Sequence, residues 1–257
     1  KPPMNGIAAI EGSGAQHVLV LHGWALDSNV WLDTRALVDD TRFTYAYFDF
    51  PGYGSNRSVP PAEGMEGMAA SALAAADSLG WDHFSILGHS MGGAAALRVA
   101  TLAPERVSAV VALTPVSPQG TPLDEATYNS FKSAWEDPGP VLKSLAPHLT
   151  TEQLDTIVGN TRATMNQSVW EAYLANWTQA DFFKTLKNCS APVSLAYGDS
   201  DPFVTAQYLS DTAASLREGA LLGIDKAGHY PMIETPRETV QLWENAFIQA
   251  AKGETNV

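Results

Sequence analysis

Serine, aspartate and histidine stand in this chain in the order Ser90, Asp201, His229, each just after a short apolar run. Such a trio can activate a hydroxyl. Imidazole takes its proton, a carboxylate orients the ring, and the freed oxygen attacks an electrophilic carbon. Ser90 lies within Gly88-His89-Ser90-Met91-Gly92. Phe84-Ser85-Ile86-Leu87 precedes it as a buried strand would, and Gly93 to Leu97 follows as a closely packed helix would. A strand, a one-residue corner and a helix at this spacing form a nucleophile elbow. The corner residue is strained, and side chains two positions either side would collide, so glycine is needed at 88 and 92. G-x-S-x-G alone also describes ordinary glycine-rich turns, so the other segments decide its meaning.

Charge developing on a carbonyl oxygen needs N–H donors already in place. One comes from the residue after the nucleophile, here Met91, and the other from an early strand–helix loop. His17 to Leu21, an apolar run, leads straight into His22-Gly23-Trp24, which makes the Trp24 amide the second donor. His22 reads as a loop-fixing residue. Val193 to Tyr197 ends in Gly198-Asp199-Ser200-Asp201-Pro202-Phe203-Val204, and Ala220 to Ile224 leads to Gly228-His229-Tyr230-Pro231-Met232. Asp201 is the preferred acid. Asp199 competes but directly follows the glycine, as a turn-capping residue does, and Asp225 lies close to His229 on the same strand exit. Asp49 reads as a loop anchor, Glu234 as a cap for the last helix, and His89 as packing beside its strand. His17, His83 and His148 read as solvated, and the single cysteine, Cys189, as structural.

These segments resemble the α/β-hydrolase superfamily, in particular its serine carboxylesterase-like members with an inserted helical cap. His22-Gly23-Trp24 resembles the oxyanion loop, and Asp49-Phe50-Pro51-Gly52-Tyr53-Gly54-Ser55 the D-x-P-G-x-G-x-S segment. Gly88 to Gly93 is similar to the elbow, Gly198 to Val204 to the acid loop, and Ala227 to Glu234 to the histidine loop. The resemblance covers nearly the whole chain. It implies a mostly parallel central sheet with helices on both faces, and an enzyme that needs no metal or organic cofactor. Haloalkane dehalogenases and epoxide hydrolases of the superfamily use an aspartate nucleophile, and position 90 is serine. The stretch from His22 to Trp31 is similar to the carboxylesterase of biotin synthesis, whose elbow has tryptophan where His89 stands. Capped carbon–carbon hydrolases share Ser-Met-Gly-Gly but have asparagine at that place. The expected activity is hydrolysis of a carboxylic ester of a small to medium, rather apolar substrate. Lactone, thioester and carbon–carbon cleavage are the alternatives, and a non-catalytic ligand receptor is the reading the motifs favour least.

The elements that must position these groups alternate. Strands are expected at 6–11, 17–21, 43–48, 84–87, 107–113, 192–197 and 220–224, with helices at 30–38, 65–79, 94–102, 205–216 and 236–251. Pro236 suits a first helical turn. From 116 to 187 no strand is convincing, and Thr150–Arg162 and Ser168–Leu174 read as helices. The expected organisation is therefore a core of 1–115 and 188–257 with a helical cap of 116–187 over the strand ends, where open α/β sheets bind ligands. Aromatic residues crowd that cap, and Trp24, Trp135, Trp170, Trp177 and Tyr230 are the expected pocket residues.

Composition is consistent with one large domain, since 257 residues with 45% hydrophobic content can build a full core. A net charge of −13 argues against the basic face that phosphates need, so no nucleic-acid partner is expected. No apolar run nears the about 18 residues of a membrane span. Lys1-Pro2-Pro3-Met4 does not read as a secretory signal, and one cysteine allows no internal disulfide, which points to the cytoplasm. A monomer or homodimer acting on a small-molecule ester or lactone is expected.

Overall fold

The computed structural model describes residues 5–255, so Lys1-Pro2-Pro3-Met4 lies outside the described residues. Strands β1 (Ile7–Glu11), β2 (Gln16–Leu21), β3 (Phe43–Phe48), β4 (Phe84–His89), β5 (Val107–Leu113), β6 (Val193–Gly198) and β7 (Gly219–Ile224) form one sheet in the order β1-β3-β2-β4-β5-β6-β7. All pairs are parallel except β1 with β3. Nearly every residue of β5 is buried, which requires cover on both faces and explains why it is apolar at every position but Ser108.

Helix α1 (Leu32–Arg35) follows a 3₁₀ turn at Ser28–Trp31. The expected helix over 30–38 is thus shorter. Asp39 Oδ1 accepts the amides of Thr41 and Arg42 and turns the chain into β3. Helices α2 (Gly64–Ser78) and α3 (Met91–Leu102) pack side by side, with α3 lying on β4 and β5. Between β5 and β6 come α4 (Glu125–Ser133), α5 (Gly139–Leu145), α6 (Thr151–Thr164) and α7 (Gln167–Thr178), with no strand among them. The chain then runs through α8 (Ala206–Ser215), β7, α9 (Pro231–Glu234) and α10 (Pro236–Thr255).

The strand at 219–224 is an edge rather than a core strand, and Gly219, Ala220 and Leu221 are exposed because, among the described residues, no strand pairs beyond it. At the other side of the sheet α10 is tied to β3. Tyr45 donates its hydroxyl to Glu244 at 2.6 Å and accepts from the Trp243 indole at 2.9 Å. Among the described residues no helix is long and apolar enough to cross a membrane.

Candidate active site

Ser90 is the corner between β4 and α3, with φ 54 and ψ −116. Such a conformation costs a non-glycine residue about 1–3 kcal/mol and persists only where the surroundings over-determine it. They do so here. Its N–H donates to the Leu113 carbonyl at 2.9 Å, and its own carbonyl accepts from Gly93, Ala94 and Val116. A Cβ at Gly92 would lie 2.3 Å from the His22 carbonyl oxygen, and one at Gly88 2.2 Å from the Gly92 carbonyl oxygen. Any side chain there would push the elbow off the His22 loop.

The Ser90 hydroxyl lies 3.0 Å from His229 Nε2, and His229 Nδ1 lies 2.8 Å from Asp201 Oδ2. All three residues are buried. With Nδ1–H donating to the carboxylate, Nε2 is free to accept from the hydroxyl. Asp201 Oδ1 accepts the amides of Phe203 and Val204 at 2.8 and 3.0 Å, so the acid loop itself aims the second oxygen at the imidazole. Asp199 is exposed and bonded to Ser200, and Asp225 is exposed. Neither carboxylate is the ring's partner.

The carbonyl of His229 accepts from His89 Nε2 at 2.7 Å and from the Thr114 hydroxyl at 3.3 Å. His89 therefore reaches across to the histidine loop as well as packing. Burial, with His229 adjacent as a second cause, pushes its pKa down to about 3. Glu234 does not cap the last helix. Its carboxylate turns back to accept the amides flanking His229, because α9 places it directly beneath that loop. His17 is half-buried and stacks on Trp81 at 4.5 Å, while His83 and His148 are exposed. Cys189 is buried, and burial pushes its thiol pKa up, which disfavours the reactive thiolate.

The Trp24 and Met91 amides donate to no acceptor of the chain among the described residues. The peptide joining Gly23 to Trp24 is held from its other end. His22 Nδ1 lies 2.8 Å from the Gly23 carbonyl oxygen, and His22 Nε2 accepts the Phe50 amide at 3.1 Å. The Phe50 donor fixes the tautomer, so Nδ1–H points at that carbonyl. In a trans peptide the carbonyl and N–H point opposite ways, so His22 turns the Trp24 N–H away from itself. Gly23 abuts the elbow, where a Cβ would meet His89 Nδ1 at 2.7 Å. Asp49 anchors the neighbouring loop, accepting from the Ser28 amide and from both the amide and hydroxyl of Ser55.

A cavity of about 290 Å³ opens on Ser90, and its walls include Trp24, Trp177, Tyr230, Phe131, Leu145 and Phe203. Two expected pocket residues, Trp135 and Trp170, stand behind that wall. Trp170 is fully buried against Trp24 at 4.2 Å and donates its indole N–H to the Phe131 carbonyl. Trp135 lies between Trp170 and the Arg162 guanidinium, which is 4.5 Å above its ring. Both buttress the lining and do not touch the cavity. Phe203, not among the expected pocket residues, sits two positions beyond Asp201 and was identifiable by that proximity. Among the described residues no cluster of histidine, cysteine or acidic side chains could hold a metal ion.

Residues 16–152, just over half of the chain, match the model of the alpha/beta hydrolase fold family. Over 256 residues the chain is 28% identical to the pimeloyl-[acyl-carrier protein] methyl ester esterase of Citrobacter koseri, covering 90% of this chain and 93% of that one. The enzyme of the same name from Serratia marcescens is 29% identical, with 93% and 96% covered. Among solved structures, a hydrolase from Oleispira antarctica superposes with a TM-score of 0.82 at 20% identity, covering 94% of this chain and 93% of the other. Motif order, sheet topology and family match agree, and the chain belongs to the α/β-hydrolase fold family.

Proposed function

We propose that the protein is a serine hydrolase cleaving a carboxylic ester of a small, uncharged, apolar substrate, with Ser90 as nucleophile, His229 as general base and acid, and Asp201 as the orienting carboxylate. The observation that carries this is the continuous hydrogen-bonded line from Asp201 through His229 to Ser90 at the floor of the cavity. The esterase relatives support the reaction class. On this reading the helical segment 116–187 is a cap on a core of 1–115 and 188–257. Phe131, Leu145 and Trp177 from the cap roof the cavity.

His229 Nε2 takes the Ser90 proton as Oγ bonds to the ester carbon. The carbonyl oxygen, now negative, accepts from the Trp24 and Met91 amides. Collapse of the tetrahedral intermediate breaks the bond to the alcohol oxygen, which receives the proton from His229. Water then attacks the acyl-enzyme, gives its proton to His229, and releases the acid as Ser90 recovers its hydrogen. The lining holds no lysine, arginine, aspartate or glutamate, so a charged acyl group would be desolvated without a partner. A cavity of about 290 Å³ is at the small end of ligand pockets, which favours small substrates.

The test is a panel of p-nitrophenyl esters, simple lactones, acyl thioesters and a ring-fission dienoate. Turnover of short neutral esters is expected, and Ser90→Ala is expected to lower it on the order of 10⁶-fold. Turnover of the dienoate alone overturns the esterase reading in favour of carbon–carbon cleavage. Ligand binding without turnover makes the protein a receptor.

A further inference from the structure

The loop that carries the Trp24 amide is fastened on its outer side by the helical segment, at successive points. The Trp24 indole N–H donates to the Trp170 carbonyl of α7 at 3.0 Å. The Thr161 hydroxyl of α6, fully buried, lies 2.6 Å from the Ala25 carbonyl oxygen and 2.9 Å from that of Ile157. The Asn160 amide N–H₂ donates to Asp27 Oδ1 at 2.9 Å, while its oxygen accepts from Asn29 at 3.0 Å. Between the first and last of these ties, Ala25 has φ 68. An alanine in the left-handed region relaxes unless its neighbours hold it. On the core side the Gly23 carbonyl is fixed through His22, the Ser28 amide through Asp49, and the Ala25 backbone faces the Tyr53 hydroxyl, while the Ala25 carbonyl is held by Thr161.

We propose that Thr161 and Asn160 are positioning residues for the oxyanion site. They hold Ala25 in its strained conformation, and so hold the Trp24 N–H on the line where the substrate oxygen becomes negative. This inference rests on the reading of Trp24 as a donor. Neither side chain touches substrate. Their effect on rate passes through one peptide amide, so the ties should matter more to the tetrahedral state than to the bound ester. The cap on this view completes the catalytic site as well as roofing it, since a core without α6 would leave the Ala25 carbonyl without its Thr161 partner.

The experiment compares Thr161→Val, Thr161→Ser and Asn160→Ala in the full chain. Steady-state kinetics use a short p-nitrophenyl ester, inhibition uses benzeneboronic acid, and a fluorophosphonate labels Ser90. Boron accepts an electron pair from the Ser90 oxygen, whose proton passes to His229, so the adduct is tetrahedral and negatively charged like the intermediate. A misaimed donor is expected to lower kcat about tenfold or more with KM within about twofold, since displacements of about 1 Å can cost 10²-fold. The boronate inhibition constant should rise by the same factor, and Thr161→Ser, which keeps the hydroxyl, should restore both.

If kcat and boronate affinity stay at wild-type levels in Thr161→Val and Asn160→Ala while Ser90 is still labelled, the positioning role is overturned and the esterase reading stands. A rise in KM alone also overturns it. If Thr161→Val does not fold, the half-buried Asn160→Ala decides the matter by itself. A wild-type protein that neither turns over esters nor accepts the label fails the underlying reading, and the inference falls with it.

Discussion

A single oxygen of Glu234 clasps the residues on both sides of His229. Oε2 accepts the Gly228 amide and the Tyr230 amide, each at 3.0 Å. With the His89 and Thr114 bonds to its carbonyl, that clasp fixes the backbone from which the His229 imidazole projects. Burial raises the pKa of Glu234, which marks its position as costly for a charge. Such a cost persists where the group does a job that a smaller or apolar residue cannot.

Glu234→Ala should therefore leave two amides in the histidine loop without acceptors, at about 1–3 kcal/mol each. Urea unfolding is expected to show a loss of about 2–6 kcal/mol on that basis. Ester turnover should fall about tenfold at unchanged KM, because the base is displaced while the cavity keeps its shape. Glu234→Gln retains a carbonyl oxygen and should recover most of both. A Glu234→Ala protein with wild-type kcat would separate the clasp from catalysis.

Acid should destabilise the fold through its buried imidazoles. His22 and His89 both have pKa values lowered chiefly by burial, His89 to about 3. In the unfolded chain each takes up a proton near its ordinary value of about 6.5. Between that value and the lowered one the unfolded state holds more protons, so stability is full above pH 6.5 and declines as pH falls. Each such histidine contributes a slope of about 1.4 kcal/mol per pH unit. Denaturant titrations at pH 7, 6, 5 and 4 check this, and His89→Gln should remove one histidine's share of the slope. A pH-independent midpoint across that range would contradict the buried neutral pair.

The elbow, the acid loop and the histidine loop are legible in the sequence because local backbone needs dictate their residues. Gly88 and Gly92 leave no room for a Cβ, and Asp201 must reach back to the amides of Phe203 and Val204. Helices α4 and α5 were not expected, since α4 buries none of its residues and α5 opens on Gly139-Pro140, which reads as a break. Its proline falls within the first helical turn, where a missing N–H costs nothing. The Asp124 carboxylate on the Thr127 amide at 2.7 Å was a capping signal open to detection. Which aromatic residues face the cavity was not legible. Trp135, Trp170 and Trp177 share a composition and a segment, and tertiary packing alone sends Trp177 to the lining and the other two behind it.

Chain-length preference should follow from Phe131, which reaches the cavity from α4. Its backbone carbonyl holds the Trp170 indole, and a side-chain truncation leaves that bond in place. Phe131→Ala should open the roof without loosening the wall behind it. The wild-type protein is expected to prefer butanoate to octanoate p-nitrophenyl esters, since Phe131 closes the roof of the cavity against the longer chain. In Phe131→Ala the ratio of kcat/KM for octanoate over butanoate should rise about tenfold. Two further buried methylenes contribute roughly 0.8 kcal/mol each, which is that factor. An unchanged ratio would mean that the acyl chain leaves the site by another wall, and that the roof contacts the alcohol side instead.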